Sequence, residues 1–226
     1  MVLEIILWII RFFFGAGIFS FLHIVIDKLT YGKSAICAKS KRIARYFLVE
    51  LTGGVSMTGC AIVYGCGKMG VISLRGAVFF IYLGILFVIA LVDWHIQMIY
   101  DRFHIMILIL AVLDFMLYPE MGIATRLTGM GIISVPMLVL ALAIPGAFGG
   151  GDIKLMAVIG FFLGWKMSLT AFMLAVFSGG IYGIGLLLSK KKGAKEHFAF
   201  GPFLVLGIMM TLFAGDQLIL WFWQGI

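Results

Sequence analysis

Long runs of apolar residues, each about the length needed to cross a lipid bilayer, recur along this chain and constrain its fold more than any other feature. A transmembrane helix needs about 20 mostly apolar residues, because the hydrocarbon core of a bilayer is about 30 Å thick. Of the 226 residues, 63% are hydrophobic and only 12% are charged. A soluble domain is about 45–50% apolar and about 25% charged. The sequence therefore predicts an all-α, polytopic membrane protein and excludes a soluble single domain.

The apolar runs can be counted, and they predict about eight transmembrane helices. Their approximate bounds are Val2–Ile26, Tyr46–Cys66, Val71–Val92, His104–Tyr118, Leu127–Ile144, Ile153–Trp165, Met167–Leu188 and Pro202–Trp223. Residues 1–66 are predicted to form an N-terminal pair of helices joined by a short basic loop. Residues 67–226 are predicted to form the membrane core that carries the functional residues.

Basic residues are distributed unevenly between the two sides of the predicted membrane. Most of the 17 Lys and Arg residues fall in the loops that follow the first and the seventh span, residues 27–45 and 189–201. Loops rich in Lys and Arg stay in the cytoplasm, which places the N-terminus outside. These loops also explain the net charge of +7. Nucleic-acid binding is not expected, because no basic stripe with interleaved aromatic residues lies outside them.

Two isolated acids stand out in this topology. Asp93 ends the third apolar run, and Asp152 stands at the start of the sixth, in the stretch Gly-Gly-Gly-Asp-Ile-Lys-Leu at residues 149–155. Two spans separate the acids, so both are expected at the cytoplasmic face. An ionisable residue at the margin of a membrane helix is costly and by default indicates function. Two structural alternatives stay open: Asp152 as a simple helix N-cap, and Asp101 rather than Asp93 as its partner.

A pair of carboxylates within hydrogen-bonding distance would have the chemistry of an aspartic protease. Two like charges cannot both form easily, so the pair shares a proton and titrates as a unit. One carboxylate then deprotonates water while the other acid protonates the peptide carbonyl. Gly149 and Gly151 have no Cβ atom and would let a substrate or partner helix approach closely. Lys154 is either an active-site charge or an anchor at the cytoplasmic surface.

Five strings, in this order along the chain, resemble the type IV prepilin peptidases. They are Ser20–Leu29, Ala44–Gly53, Asp93–Asp101, the G-x-G-D string Gly149–Leu155 and Phe200–Leu204. The resemblance implies a G-x-G-D aspartyl protease with Asp93 and Asp152 as catalytic residues, supported by Gly149, Gly151 and Lys154. It also implies a multi-pass enzyme of the bacterial cytoplasmic membrane that removes the leader of type IV prepilins or pseudopilins at the cytoplasmic face.

The same resemblance bears on cofactors. Many bacterial members of the family also N-methylate the new N-terminus with S-adenosylmethionine, whereas proteolysis itself needs no cofactor. In many members a long cytoplasmic loop carries two Cys-x-x-Cys pairs for zinc. Here the loop is short and contains only Cys37, so no metal is expected, and methylation is left open. A further departure is Tyr100, which stands where the family usually has Pro.

Two other functions stay open. A protease similar to presenilin or signal peptide peptidase would use Asp101 of the Tyr100-Asp101 pair as its catalytic acid. A transporter or assembly protein would use the acids to conduct protons or to hold helices together. The remaining strings favour the prepilin peptidase over both.

Overall fold

The computed structural model describes residues 2–31, 42–63, 73–144, 146–188 and 199–223, and every regular element in these ranges is an α-helix. The helices are, in chain order, α1 (Val2–Tyr31), α2 (Arg42–Val63), α3 (Leu74–Ile96), α4 (Asp101–Leu117), α5 (Ile123–Ala143), α6 (Gly150–Leu163), α7 (Trp165–Leu188) and α8 (Gly201–Trp223). This confirms the predicted all-α class. Cys37, on which the metal prediction rested, and the lysines after α7 lie outside the described residues.

Four segments within these helices are long and apolar enough to cross a membrane. They are Glu4–Leu22, Leu74–Ile96, Ile123–Ala143 and Trp165–Leu186, and shorter apolar segments occupy Val49–Val63 and Gly201–Gly215. Since every one of these segments is helical, all backbone polar groups in the bilayer can be satisfied within the helix. The chain is therefore a multi-pass membrane protein.

The chain divides into two compact units, Met1–His95 and Ile96–Ile226. In the first, α1 and α2 pack closely because glycines face each other: a Cβ atom on Gly15 would lie 2.5 Å from the Gly53 carbonyl oxygen. Small residues allow such close approach between membrane helices. The predicted boundary near residue 66 falls in a part of the chain that the structure does not describe, and it stays a prediction.

In the second unit, α6 is the central helix and packs against α4, α5 and α7, while α8 packs against α7. Most residues of α6 are buried, although it has only 14 residues. It crosses α5 at Gly129 and Gly160, whose backbones are so close that a Cβ on Gly160 would overlap the Gly129 carbonyl. Interior glycines usually weaken a helix; here they permit the contact that brings α5 and α6 together.

A buried ion pair holds the C-terminal end of α6. Arg126 Nη2 donates to Asp114 Oδ2 at 2.8 Å, joining α5 to α4. Its Nη1 is 3.3 Å from the Phe161 carbonyl and 3.4 Å from the Phe162 carbonyl, both in the last turn of α6. A cation at the C-terminus of a helix offsets the partial negative charge of the free carbonyls. We call Arg126, Asp114 and these two carbonyls the Arg126 cluster.

Several helix ends differ from those predicted from hydropathy. The third span was expected to end at Val92, but α3 continues to Ile96 and includes Asp93 in its last turn. Arg126 was assigned to a loop, whereas it lies in the first turns of α5 and is buried. Hydropathy does not define helix ends, because helices are defined by backbone hydrogen bonds, and Arg126 stays within α5 with its guanidinium bound to Asp114.

Candidate active site

Asp152 lies in the first turn of α6 as its third residue. Gly149 is the N-cap, with φ −71° and ψ 139°, so the alternative that Asp152 itself caps the helix is wrong. The side chain turns back towards the cap: a Cβ on Gly149 would lie 3.1 Å from Asp152 Oδ2. Unpaired N–H groups and the helix dipole make the start of a helix favourable for a carboxylate. Asp152 is nonetheless buried, with 9% of its surface exposed.

The three glycines before Asp152 differ in what surrounds them. A Cβ on Gly151 would lie 3.0 Å from the Ile99 Cβ, a tight contact, and a Cβ on Gly149 would lie close to the Asp152 carboxylate. Gly150, between them, has nothing within 4 Å. The G-x-G-D spacing agrees with this packing, because a side chain at the first or third position requires a neighbour to move by a few tenths of an ångström and one at the middle position does not.

The start of α6 is joined to the start of α4 by three side chains. Lys154 Nζ donates to Asp101 Oδ1 at 2.8 Å. His104 Nε2 lies 3.0 Å from the Gly151 carbonyl oxygen, and His104 Nδ1 lies 3.5 Å from Asp101 Oδ1. Lys154 and Asp101 are largely exposed, whereas the His104 side chain is buried. We call Asp101, His104, Gly151 and Lys154 the α4–α6 contact.

Asp101 carries its charge near neutral pH. The hydrogen bond and the positive charge of Lys154 hold the pKa of this carboxyl below its ordinary value. Asp101 is exposed and precedes the apolar part of α4, so water solvates its charge as well. This acid is therefore a partner of Lys154 and holds no proton that it could donate.

Asp93 lies in the other compact unit, in the last turn of α3, and is buried with 5% of its surface exposed. The chain leaves this helix through Gln97, whose φ of 56° places it in the left-handed region that often ends helices. Tyr100, the departure from the family pattern, is the N-cap of α4 with φ −73°. That angle lies within the range of proline, so the backbone keeps the shape that proline would impose.

Of the predicted site residues, the second unit gathers Gly149, Gly151, Asp152 and Lys154 at the start of α6. Sequence reasoning did not identify the bond between His104 and Gly151. One signal was available: His104 follows Asp101 by three residues, which places both on one face of a helix. Among the described residues, no three His, Cys, Asp or Glu side chains are grouped as ligands for a metal ion.

These features define a class: a multi-pass helical membrane protein with a buried carboxylate at one end of each of two helices. Comparison with known proteins goes further, since residues 80–184 match the type IV leader peptidase family. The matched stretch contains both Asp93 and Asp152. The resemblance to the prepilin peptidases, stated above from five sequence strings, is confirmed.

Curated relatives agree with this match. The chain is 31% identical to the prepilin leader peptidase/N-methyltransferase of Bacillus subtilis over 139 residues, which cover 62% of this chain and 56% of the relative. It is 35% identical to the protein of the same name from Aeromonas salmonicida over 74 residues, 33% of this chain and 25% of that one. The chain thus spans about half the length of the first relative and a quarter of the second. No solved structure is significantly similar to it.

Proposed function

We propose that this chain is a membrane aspartyl endopeptidase that removes the leader peptide of type IV prepilins or pilin-like proteins. The observation that carries the proposal is a buried Asp152 in the first turn of α6, within a G-x-G-D string and within the stretch that matches the leader peptidase family. The family match indicates prepilins as the substrate class, and the buried Asp152 is a carboxyl group that can act in proton transfer.

Asp93 and Asp152 are the proposed catalytic residues. One carboxylate takes a proton from water, whose oxygen then attacks the scissile peptide carbon, while the other carboxylic acid protonates the carbonyl oxygen. As the tetrahedral intermediate collapses, the carbon–nitrogen bond breaks and the leaving amine takes up a proton. Burial of both acids supports this role, because an ionisable residue buried in a membrane helix is costly and by default indicates function.

The choice of Asp93 over Asp101 is supported by the partners of Asp101. A general acid must hold a proton near the working pH, whereas the lysine beside Asp101 lowers the pKa of that carboxyl. Asp93 is buried and Asp101 is exposed. The presenilin-like alternative, which needs Asp101 as the catalytic acid, is therefore disfavoured. No observation favours the transporter or assembly function.

Gly149, Gly151 and Lys154 are proposed to support the site and do not react. Gly149 leaves room for the Asp152 carboxylate, Gly151 lets α6 begin against Ile99, and Lys154 binds Asp101 on α4. The proposed setting is the bacterial cytoplasmic membrane, with the N-terminus outside and the two acids at the cytoplasmic face. The distribution of basic loop residues supports that orientation.

N-methylation of the cleaved product is a separate proposal, based on the names of the relatives. No contact among the described residues of the first unit assigns a side chain to S-adenosylmethionine; Glu50 accepts a hydrogen bond from Ser20 at 2.9 Å. We therefore derive no step through this cofactor. Labelled S-adenosylmethionine, incubated with enzyme and prepilin, would reveal transfer to the processed pilin.

The proteolytic function is tested by cleavage of a purified prepilin in liposomes that contain the full chain. Asp93→Asn and Asp152→Asn are expected to abolish cleavage while the helical circular dichroism is kept. Asp101→Asn is expected to keep cleaving, and Glu120→Gln is a matched control at an exposed acid far along the chain from both motifs. Mass spectrometry of the new N-terminus identifies the bond cut. Full cleavage by both Asn variants at positions 93 and 152 would refute the proposal.

A further inference from the structure

His104 makes a contact that the catalytic chemistry does not require. Its ring is buried one turn into α4, and Nε2 lies 3.0 Å from the carbonyl oxygen of Gly151. A carbonyl oxygen only accepts hydrogen bonds, so Nε2 must carry the hydrogen and donate it. The same oxygen has a second lone pair for the helical bond within α6. His104 therefore adds a second bond to this carbonyl and competes with none.

The contact is made at two points with matching spacing. Asp101 and His104 are three residues apart on α4, and Gly151 and Lys154 are three residues apart on α6, so each pair lies on one helix face. Lys154 binds Asp101 at the exposed edge, and His104 binds Gly151 at the buried edge. Two bonds of this kind fix the rotation of one helix start against the other, which a single bond would leave free.

The orientation of the Gly151 carbonyl directly affects the position of Asp152. It belongs to the peptide unit that joins Gly151 to Asp152, so any rotation of that unit moves the Asp152 backbone and its carboxylate. Three glycines precede Asp152, and glycine allows more backbone conformations than any other residue. Ile99 packs against Gly151, but an apolar contact restrains direction less than a hydrogen bond does. The His104 donor therefore adds a directional restraint on this peptide beyond the helical bond within α6.

We propose that His104 is a positioning residue, which holds the Gly151–Asp152 peptide through its Nε2–H and so orients the Asp152 carboxylate. The catalytic consequence rests on the proposed protease function, whereas the structural consequence does not. His104 itself does not touch the reacting atoms. Its effect is on the rate of the chemical step and leaves substrate binding unchanged.

Three substitutions separate this role from general packing. Gln places an amide nitrogen at nearly the reach of His Nε2, so His104→Gln keeps the donor. Asn places its nitrogen at the level of Nδ1, too short to reach Gly151, so His104→Asn keeps polarity and loses the bond. His104→Leu fills the space with no donor. Each variant is measured in the full chain by amide hydrogen exchange over residues 150–155 and by kcat and KM for prepilin cleavage.

Of the three variants, only His104→Gln is expected to keep the hydrogen bond and to behave like the wild type. Leu and Asn should speed exchange at the start of α6 roughly three- to tenfold, the equivalent of one lost hydrogen bond, and lower kcat roughly 10- to 100-fold with KM unchanged. The Gln variant should resemble the wild type in both. If exchange in the Leu variant equals that of the wild type, or if Gln behaves as Leu does, the positioning role is wrong. Wild-type protein that fails to cleave refutes the protease proposal instead, and the exchange data still decide on His104.

Discussion

The two ends of α6 are held in opposite ways. The C-terminal end is fixed by the Arg126 cluster, in which a fully buried guanidinium binds Asp114 and two backbone carbonyls and lies 5.4 Å from the Phe115 ring centroid. The N-terminal end, with Asp152, is fixed by the α4–α6 contact, of which only His104 is buried and the ion pair is exposed. The Arg126–Asp114 ion pair at the C-terminal end is buried, whereas the Lys154–Asp101 ion pair at the N-terminal end is exposed to water.

In the proposed function, this difference separates stability from chemistry along a single short helix. A buried ion pair is costly to break, because removing one partner leaves the other charge without solvent. An exposed ion pair contributes little and is screened by salt. The Arg126 cluster therefore fixes the position of α6, while the α4–α6 contact orients its first turn through one buried bond and one exposed ion pair.

Arg126→Met should have the largest effect on folding. It leaves Asp114 buried without its ion-pair partner, and a broken buried pair costs about 3–5 kcal/mol. The apparent Tm of the chain in detergent, followed by circular dichroism, should fall by many degrees. The matched control is Arg126→Met combined with Asp114→Leu, which removes both charges and should recover most of the loss. A Tm unchanged by Arg126→Met would mean that α6 is held elsewhere.

Gly151→Ala should reduce cleavage without unfolding the protein. The new Cβ would lie 3.0 Å from the Ile99 Cβ, so the start of α6 must shift by a few tenths of an ångström. Small displacements of catalytic groups are expensive, and we expect a fall in kcat of roughly tenfold or more. Gly150→Ala is the control in the adjacent position, where nothing lies within 4 Å; it should cleave at the wild-type rate. Equal rates for the two variants would contradict the packing explanation of G-x-G-D.

Asp101→Asn should have a smaller effect than either His104→Leu or Gly151→Ala, since it removes an exposed ion pair and leaves the His104 bond in place. Lysine lowers the folded pKa of Asp101. The pair is therefore fully formed above the unfolded pKa of about 3.9 and is lost only as the pH falls through the lower folded value. Between about pH 6 and pH 8, Asp101 should add no titration to the rate. Sensitivity of the wild-type rate to salt, absent in the variant, would identify its contribution.

Tyr100→Pro should have the smallest effect. Tyr100 is the N-cap of α4 at φ −73°, an angle that proline adopts without strain. We expect the Tm and the cleavage rate to match those of the wild type. A clear loss in either would show that the Tyr100 ring, 6.3 Å from that of Phe103, contributes more than the backbone shape does.

The class of fold could be read from the sequence, because long apolar runs are a strong signal, whereas the catalytic role of the two acids stays a prediction. The ends of helices could not be read in this way. Hydropathy falls at Asp93 and at Arg126, yet both residues lie inside helices, since helix ends are set by backbone hydrogen bonds and not by hydropathy. Residues 114 and 126 are only 12 apart on consecutive helices, but nothing in their spacing identifies them as a pair.

The partners of the G-x-G-D string were also beyond the reach of sequence reasoning. The Lys154–Asp101 and His104–Gly151 contacts join residues about 50 positions apart, and such contacts depend on how α4 and α6 are rotated about their axes. Helix periodicity predicts which residues share a face, such as Asp101 with His104. It cannot predict which face of the next helix they meet.

The central claim, that Asp93 and Asp152 act as one catalytic unit, is tested most directly by a double-mutant cycle on kcat/KM for prepilin cleavage. Asp93→Asn, Asp152→Asn and the double variant are compared in liposomes. Residues that act as a unit are strongly non-additive, so each single variant should lose roughly 10³-fold or more and the double variant should lose little beyond that. Losses that multiply in the double variant, or a single variant that keeps near-normal activity, would mean that the two acids work independently.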